Sequence, residues 1–181
     1  MTNHTAGSGH VLLLTGIPGI GKTTVIRRVA ERLAGQRLGG FYTEEMRVGG
    51  ERRGFRLLGF DGSDRVLAHV DLRDGPRVSR YGVDVAALDA VADTLLAPHP
   101  GVAVYLVDEI GRMECLSPRF VEAVRRLLDT HAVVIATVAI KGGGFIAEVK
   151  GRSDVVVWEV THSNRNAMPE RILAWLAERR G

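Results

Sequence analysis

The sequence predicts an α/β fold: a mostly parallel sheet flanked by helices, carrying a β-hairpin insertion around residues 40–70. Three observations carry this. Apolar runs of strand length, "HVLLLT", "GVAVYLVD" and "AVVIATV", read as strands covered on both faces. Stretches with apolar residues at helical spacing stand between and after them. From residue 40 to 70 the pattern changes to β-rich runs punctuated by Gly-Gly and Asp-Gly.

The elements follow in order. His10 to Thr15 form the first strand, and a glycine-rich turn follows it. From Lys22 onward Val25, Ile26, Val29 and Leu33 recur on one helix face, and Gly35 supplies a stop. "GFYTEEMR", "RRGFRLLGF" and "RVLAHV" are three strands of an antiparallel excursion, because "VGGE" and "DGSD" offer turns that need positive φ. "DLRDGPRVSRYG" reads as a loop. In "VDVAALDAVADTLLA", Asp84 is the candidate cap, and Val85, Leu88, Val91 and Leu95 face inward.

A strand then runs up to Asp108. Ser117 followed by Pro118 makes a helix entry, since proline suits the first helical position. Phe120, Val121, Val124 and Leu128 are that helix's inward face. "AVVIATV" is a strand, "GFIAEVKG" a short helix, "DVVVWEV" a further strand and "MPERILAWLAERR" the closing helix.

The bulk properties narrow the classes. A length of 181 residues suits one domain, expected over 10–181, with a small and polar first segment, 1–9, expected to be disordered. The net charge of +3 is mild and comes almost wholly from arginine, with acids interspersed. That pattern reads as a solvated surface and does not favour a nucleic-acid partner. Cys115 stands alone, which excludes a disulfide framework and a cysteine zinc cluster and leaves a packed thiol. The six histidines show no metal-ligand spacing. No apolar stretch approaches the about 20 residues a bilayer needs. There is also no charged start followed by an apolar signal core, so a cytoplasmic protein without a membrane partner is expected.

"GIPGIGKT", Gly16 to Thr23, fits the pattern G-x-x-x-x-G-K-[ST] between an apolar strand and an amphipathic helix. Glycines let backbone N–H groups converge on phosphate oxygens, and the helix that follows presents its positive end to an anion. Gly16, Ile17, Pro18, Gly19, Ile20, Gly21, Lys22, Thr23 and Thr24 are therefore the expected phosphate-binding residues. Lys22 would reach the β- and γ-phosphates, and the Thr23 hydroxyl would face Mg²⁺.

Such a loop needs an acid at the end of a neighbouring strand, and Asp108 stands where an apolar run stops. Burying it unpaired would be costly, so it is expected at the strand end, facing a metal and its waters. Glu109, next to it, is the candidate general base. A rival reading takes "DEIG" as the Asp108-x-x-Gly111 switch of regulatory GTPases. That reading calls for a guanine-specifying Asn-Lys-x-Asp, and no lysine here follows an asparagine. Glu114 is a weaker candidate, whose alternative is an ion pair with a nearby arginine.

"GIPGIGKTT", "GGFYTEEMR…GERRGF", "VDEIGRME" and "VTHSNRN" together resemble the small thermophile-type nucleoside-triphosphatases, also known as the cancer-related nucleoside-triphosphatase family. The resemblance runs from about His10 to the end. It implies a RecA-like or AAA-like P-loop NTPase domain, related in structure to nucleotide kinases. It also implies Mg²⁺-dependent hydrolysis of several nucleoside triphosphates with little base discrimination. The phosphate-loop residues, Asp108 and Glu109 carry over onto matching positions. "CLS" at Cys115 to Ser117 departs from a more usual "LFS", and "AIKGGGFIAEVKG" is shorter and richer in glycine than in many members.

Charge that develops on the γ-phosphate calls for a cation beyond Lys22, and Arg112 and Arg165 compete for that role. Thr137 is a polar sensor if its strand neighbours that of Asp108, and otherwise a satisfied core residue. Glu44 and Glu45 sit on a strand where neighbours face opposite ways, so at most one faces the site; a charged edge strand is the other reading. The stretch Arg77 to Tyr81 would close over nucleotide, with Tyr81 stacking on a base.

The expected function is a broad-specificity hydrolase acting as a monomer on ATP, GTP, CTP and UTP, with no protein partner named by the sequence. Two alternatives share the phosphate machinery. One is a nucleotide or nucleoside kinase-like phosphotransferase with hydrolysis as a side reaction. The other is a nucleotide-dependent switch acting on a partner.

Overall fold

The computed structural model describes residues 9–179. Val11–Thr15 (β1) pairs in parallel with Val134–Val138 (β8) on one side and with Val155–Glu159 (β9) on the other. Val104–Ile110 (β7) pairs in parallel with β8, and the start of Leu38–Val48 (β2) pairs in parallel with β7. β1, β7, β8 and β9 are the strands that the apolar runs predict, while β2, expected only in the antiparallel excursion, joins them as a fifth parallel strand.

Their side chains alternate between two cores, as the pleat requires. Val11, Leu13, Tyr105, Val107, Val134 and Ala136 join one; Leu12, Leu14, Val104, Leu106 and Ile135 join the other. Val85–Thr94 (α2), Pro118–Leu128 (α3) and Phe145–Lys150 (α4) close the first core through Leu88, Val91, Phe120, Val124 and Phe145. Lys22–Arg32 (α1) and Met168–Ala177 (α5) close the second through Val25, Ile26, Val29 and Ile172. Fully buried Tyr105, Phe41 and Phe120 are among the largest of these side chains, and a large apolar side chain contributes about 1.5–3 kcal/mol on burial.

The helix entries follow the sequence. Asp84 caps α2 by accepting from Ala87 N at 3.0 Å. Ser117 caps α3 by accepting from Phe120 N at 3.0 Å, with Pro118 next in the chain. Ahead of this cap a single 3₁₀ turn, Glu114–Leu116, brings the chain round from β7.

The excursion holds three strands, as expected, but it is not an appendage to the sheet. Leu38–Phe41 of β2 pair with β7, while Phe41–Val48 pair antiparallel with Glu51–Gly59 (β3). One strand thus belongs to both halves. Gly49 and Gly50 both have positive φ, 57° and 81°, the conformation a two-residue type I′ turn demands. Asp64–His69 (β4) continues the sheet antiparallel to β3.

Residues 71–82, read from sequence as a loop, contain Arg77–Val78 (β5) and the start of Tyr81–Val83 (β6), a minimal hairpin in which β6 pairs with β4. Strands of two and three residues are too short to show an alternation, so pattern reading misses them. Among the described residues the strand order is β5-β6-β4-β3-β2-β7-β8-β1-β9. The stretch 1–9, expected to be disordered, lies outside the described residues except for Gly9. Gly9 is buried, and its carbonyl accepts from Arg179 Nε at 2.9 Å. No described helix is long and apolar enough to cross a membrane.

Candidate active site

β1, β7 and β8 end on the same edge of the sheet, and the glycine-rich loop leaves β1 there. In open α/β sheets ligands bind outside this carboxyl edge. Gly19 and Gly21 have φ of 78° and 108°, values that L side chains rarely adopt, which lets the loop curl and leaves Ile17, Pro18 and Gly19 exposed. α1 begins at Lys22, so the amides of Lys22, Thr23 and Thr24 belong to its first turn, where no intrahelical acceptor exists. Lys22 folds back over the loop. Its Nζ donates to Gly16 O at 3.0 Å and lies 3.9 Å from Glu109 Oε2.

Asp108 is the centre of the arrangement, and its placement corrects one expectation. It does not protrude from a strand end: β7 continues to Ile110, and Asp108 is 2% exposed. Burial is tolerated because hydroxyls surround it. Thr137 Oγ1 donates to Oδ1 at 2.6 Å and Thr23 Oγ1 donates to Oδ2 at 2.7 Å. Thr43 adds longer contacts to Oδ2, from its backbone N at 3.4 Å and its hydroxyl at 3.3 Å. Thr137 therefore lies on the strand next to that of Asp108 and touches it.

Glu109 is half-buried beside Asp108. Burial pushes its carboxyl above the ordinary value, the Lys22 ammonium offsets part of that, and the Asp108 carboxylate adds to it. Such a shift suits a group that must take up a proton near neutral pH.

Glu114 departs from its expected alternative. Among the described residues no arginine pairs with it; it is 5% exposed, and burial, with Glu109 next in weight, pushes its carboxyl up to about 8.

The two candidate arginines part company. The segment after β9 sits against the glycine loop, with Val160 N donating to Thr15 O at 2.8 Å. Asn164 shapes the following turn, accepting from Thr161 N and donating to Glu159 O, both at 2.8 Å. That turn carries Arg165 over the loop, where Nη1 donates to Ile20 O at 3.4 Å. Arg112 lies just past Gly111 and is exposed.

Other acidic and aromatic candidates take partners outside the Asp108 cluster. Glu44 pairs with Arg27 of α1 at 3.4 Å, and Arg27 also lies over the Tyr42 ring. Glu45 pairs with Arg47 and Arg52 on the exposed hairpin. Tyr81 cannot stack on a nucleotide base: it is 7% exposed, its ring packs 5.2 Å from that of Phe55, and five strands separate β6 from β1. Aromatic character drew attention to it, while burial in the extension's core decides its role. Thr43 is the residue that sequence reading missed. Its relevance depends on the register of β2 against β7, which no local pattern displays.

The donor set fits a hard divalent cation. Thr23 Oγ1 and Asp108 Oδ2 are adjacent oxygens, and no group of three or more His, Cys, Asp or Glu able to hold a metal exists among the described residues. An ion here would depend on phosphate oxygens and water for its remaining ligands, the usual mode for Mg²⁺ at phosphate sites.

A family model described as NTPase matches residues 11–173. Nucleoside-triphosphatase THEP1 of Thermotoga maritima is 40% identical over 171 residues, which cover 94% of this chain and 97% of the relative. The human cancer-related nucleoside-triphosphatase is 38% identical, with coverage of 86% and 90%. Among solved structures, the crystal structure of THEP1 from the hyperthermophile Aquifex aeolicus has a TM-score of 0.83 at 33% identity, covering 92% of this chain and 98% of that one. The glycine loop, the buried acid beside it and the parallel strands that carry both are thus those of a P-loop NTPase fold, and the chain belongs to the NTPase family.

Proposed function

We propose that this chain is a Mg²⁺-dependent nucleoside-triphosphate phosphohydrolase of broad base specificity, converting NTP to NDP and phosphate. The observation that supports it most is the cluster in which Asp108 accepts from Thr23 and Thr137 while Lys22 lies 3.9 Å from Glu109. Its relatives are named nucleoside-triphosphatases, in agreement with this reading.

Each residue then has a task. Backbone N–H groups of the loop and of the first turn of α1, Pro18 excepted, cradle the phosphates, with Gly16, Gly19 and Gly21 permitting the curl. Lys22 neutralises charge on the β- and γ-phosphates. Thr23 and Asp108 would hold Mg²⁺, which when bound neutralises charge developing on the transferred phosphoryl group. Glu109 accepts a proton from water as the water oxygen bonds to the γ-phosphorus, and the bond from that phosphorus to the bridging oxygen breaks to release NDP. Arg165, with Arg112 as its competitor, stabilises the charge on the phosphoryl oxygens. The contacts are to phosphates shared by ATP, GTP, CTP and UTP, and no Asn-Lys-x-Asp motif selects guanine, which favours broad base use. The same reading takes 10–181 as one domain of a cytoplasmic monomer.

Phosphate release from the four triphosphates, measured beside nucleotide affinity, tests this for wild type, Lys22→Ala and Glu109→Gln. All four should turn over, Lys22→Ala should bind weakly, and Glu109→Gln should bind normally but lose about 10²-fold of the rate or more. Wild-type turnover in Glu109→Gln, or negligible release by wild type, would remove the base and direct attention to an acceptor other than water.

A further inference from the structure

Glu114 is a buried acid that the hydrolytic scheme does not use. A methyl-sized atom added at Gly111 would lie 2.7 Å from Glu109 Oε1 and 3.0 Å from Glu114 Oε2. The two carboxyls therefore flank the same point, and the missing side chain at Gly111 is what admits both. The 3₁₀ turn Glu114–Leu116 points Glu114 inward, and the backbone amides of Glu114 and Gly111 hold its carboxyl.

We propose that Glu114 is a positioning residue for the reaction, donating a hydrogen bond from its carboxyl across Gly111 to the carboxylate of Glu109. This rests on Glu109 being the base.

The charges around Glu114 support a neutral acid. From β7 it faces Glu109 and Asp108, and beside it stands Cys115, whose thiol burial also pushes up. From α2, Asp89 approaches the neighbouring Ser117, whose hydroxyl donates to it at 2.5 Å. Among the described residues, no cation is among the groups that act most on Glu114. An ionised carboxylate buried without a cation is expensive, so the group keeps its proton instead. Its titration near 8 agrees with the geometry. A neutral carboxyl is a donor, and the carboxylate that shares the Gly111 notch is its natural acceptor. With one oxygen of Glu109 so held, the carboxylate has a fixed aim toward the water; loss of such aim costs up to about 10²-fold in rate.

The test is the pH profile of kcat at saturating nucleotide and Mg²⁺, with affinity and melting temperature recorded for each protein. Wild type should lose rate above about pH 8, as Glu114 gives up the proton it donates. Glu114→Ala should lose about tenfold or more at pH 7 with nucleotide affinity unchanged. Glu114→Gln, whose amide donates without titrating, should recover to within about threefold of wild type and lack the alkaline limb. Gly111→Ala should fold and also lose about tenfold or more, because the three atoms nearest its new carbon all belong to the two flexible acid side chains.

An alkaline limb in Glu114→Gln matching that of wild type overturns the inference, as does a wild-type rate in either alanine variant. Should Glu114→Ala fail to fold, Glu114→Gln and Gly111→Ala decide. Wild-type turnover with an inactive Glu109→Gln and an unaffected Glu114→Ala would remove this inference alone. A fully active Glu109→Gln would remove the base assignment beneath it.

Discussion

Thr137 donates its hydroxyl to one oxygen of Asp108 at 2.6 Å, from the strand beside it in the sheet. Thr23 holds the other oxygen at 2.7 Å from the first turn of α1. A single buried carboxylate is thus gripped from the sheet and from the phosphate loop together. Its orientation is set by hydroxyls on two elements far apart in the chain.

Thr137→Val keeps the shape of the side chain and removes that donor. The Asp108 oxygen then stays buried with less compensation, and the protein should lose about 1–3 kcal/mol of stability. Urea unfolding measures this, and the Mg²⁺ concentration for half-maximal phosphate release should rise beside it. An unshifted urea midpoint would show that the Thr137 hydroxyl contributes nothing to holding Asp108.

Arg165 and Arg112 can be ranked. Because the Arg165 guanidinium already reaches Ile20 O in the loop, Arg165→Ala should lower kcat by about 10²-fold. Arg112 is exposed, and Arg112→Ala should cost less. Single-turnover phosphate release separates the two, and the reverse order would transfer the role to Arg112.

Ser117 serves two partners, accepting from Phe120 N and donating to Asp89. Ser117→Ala removes the cap of α3 and should cost about 1–2 kcal/mol. For a chain of this size that is a fall of several degrees in melting temperature, about 2–4 °C per kcal/mol. Thermal unfolding reads it, while phosphate release at 25 °C should stay near wild type.

Glu114 gives stability a pH dependence of definite sign. In the folded state it keeps its proton up to about 8, against an ordinary value of 4.5. Between those values the native state binds more protons than the unfolded one, so this group makes stability fall as pH rises, by roughly 1 kcal/mol per pH unit. Below the window both states are protonated and there is no penalty; above it both are ionised and the penalty is complete. Glu114→Gln lacks this dependence and should gain stability relative to wild type from pH 5 to 8. Urea midpoints across that range check it, and parallel curves for the two proteins would show that Glu114 titrates normally.

By itself the sequence determined the element types outside residues 71–82, the parallel character of the central strands, the caps at Asp84 and Ser117, and the glycine-rich turn that follows the first strand. All of these rest on local chemistry: spacing of apolar residues, positive φ at glycine, and a hydroxyl or carboxylate one turn from an unpaired amide. The placement of Asp108 and Glu109 beside that loop was also legible, because the acids follow directly on an apolar run of strand length. Only the tertiary structure decided that Thr43 and Thr137 hold Asp108, that Tyr81 is core, that Arg165 lies over the loop, and that Glu114 shares the Gly111 notch with Glu109. Those facts depend on strand register and on burial. Both are set by residues far apart in the chain, so no window of sequence contains them.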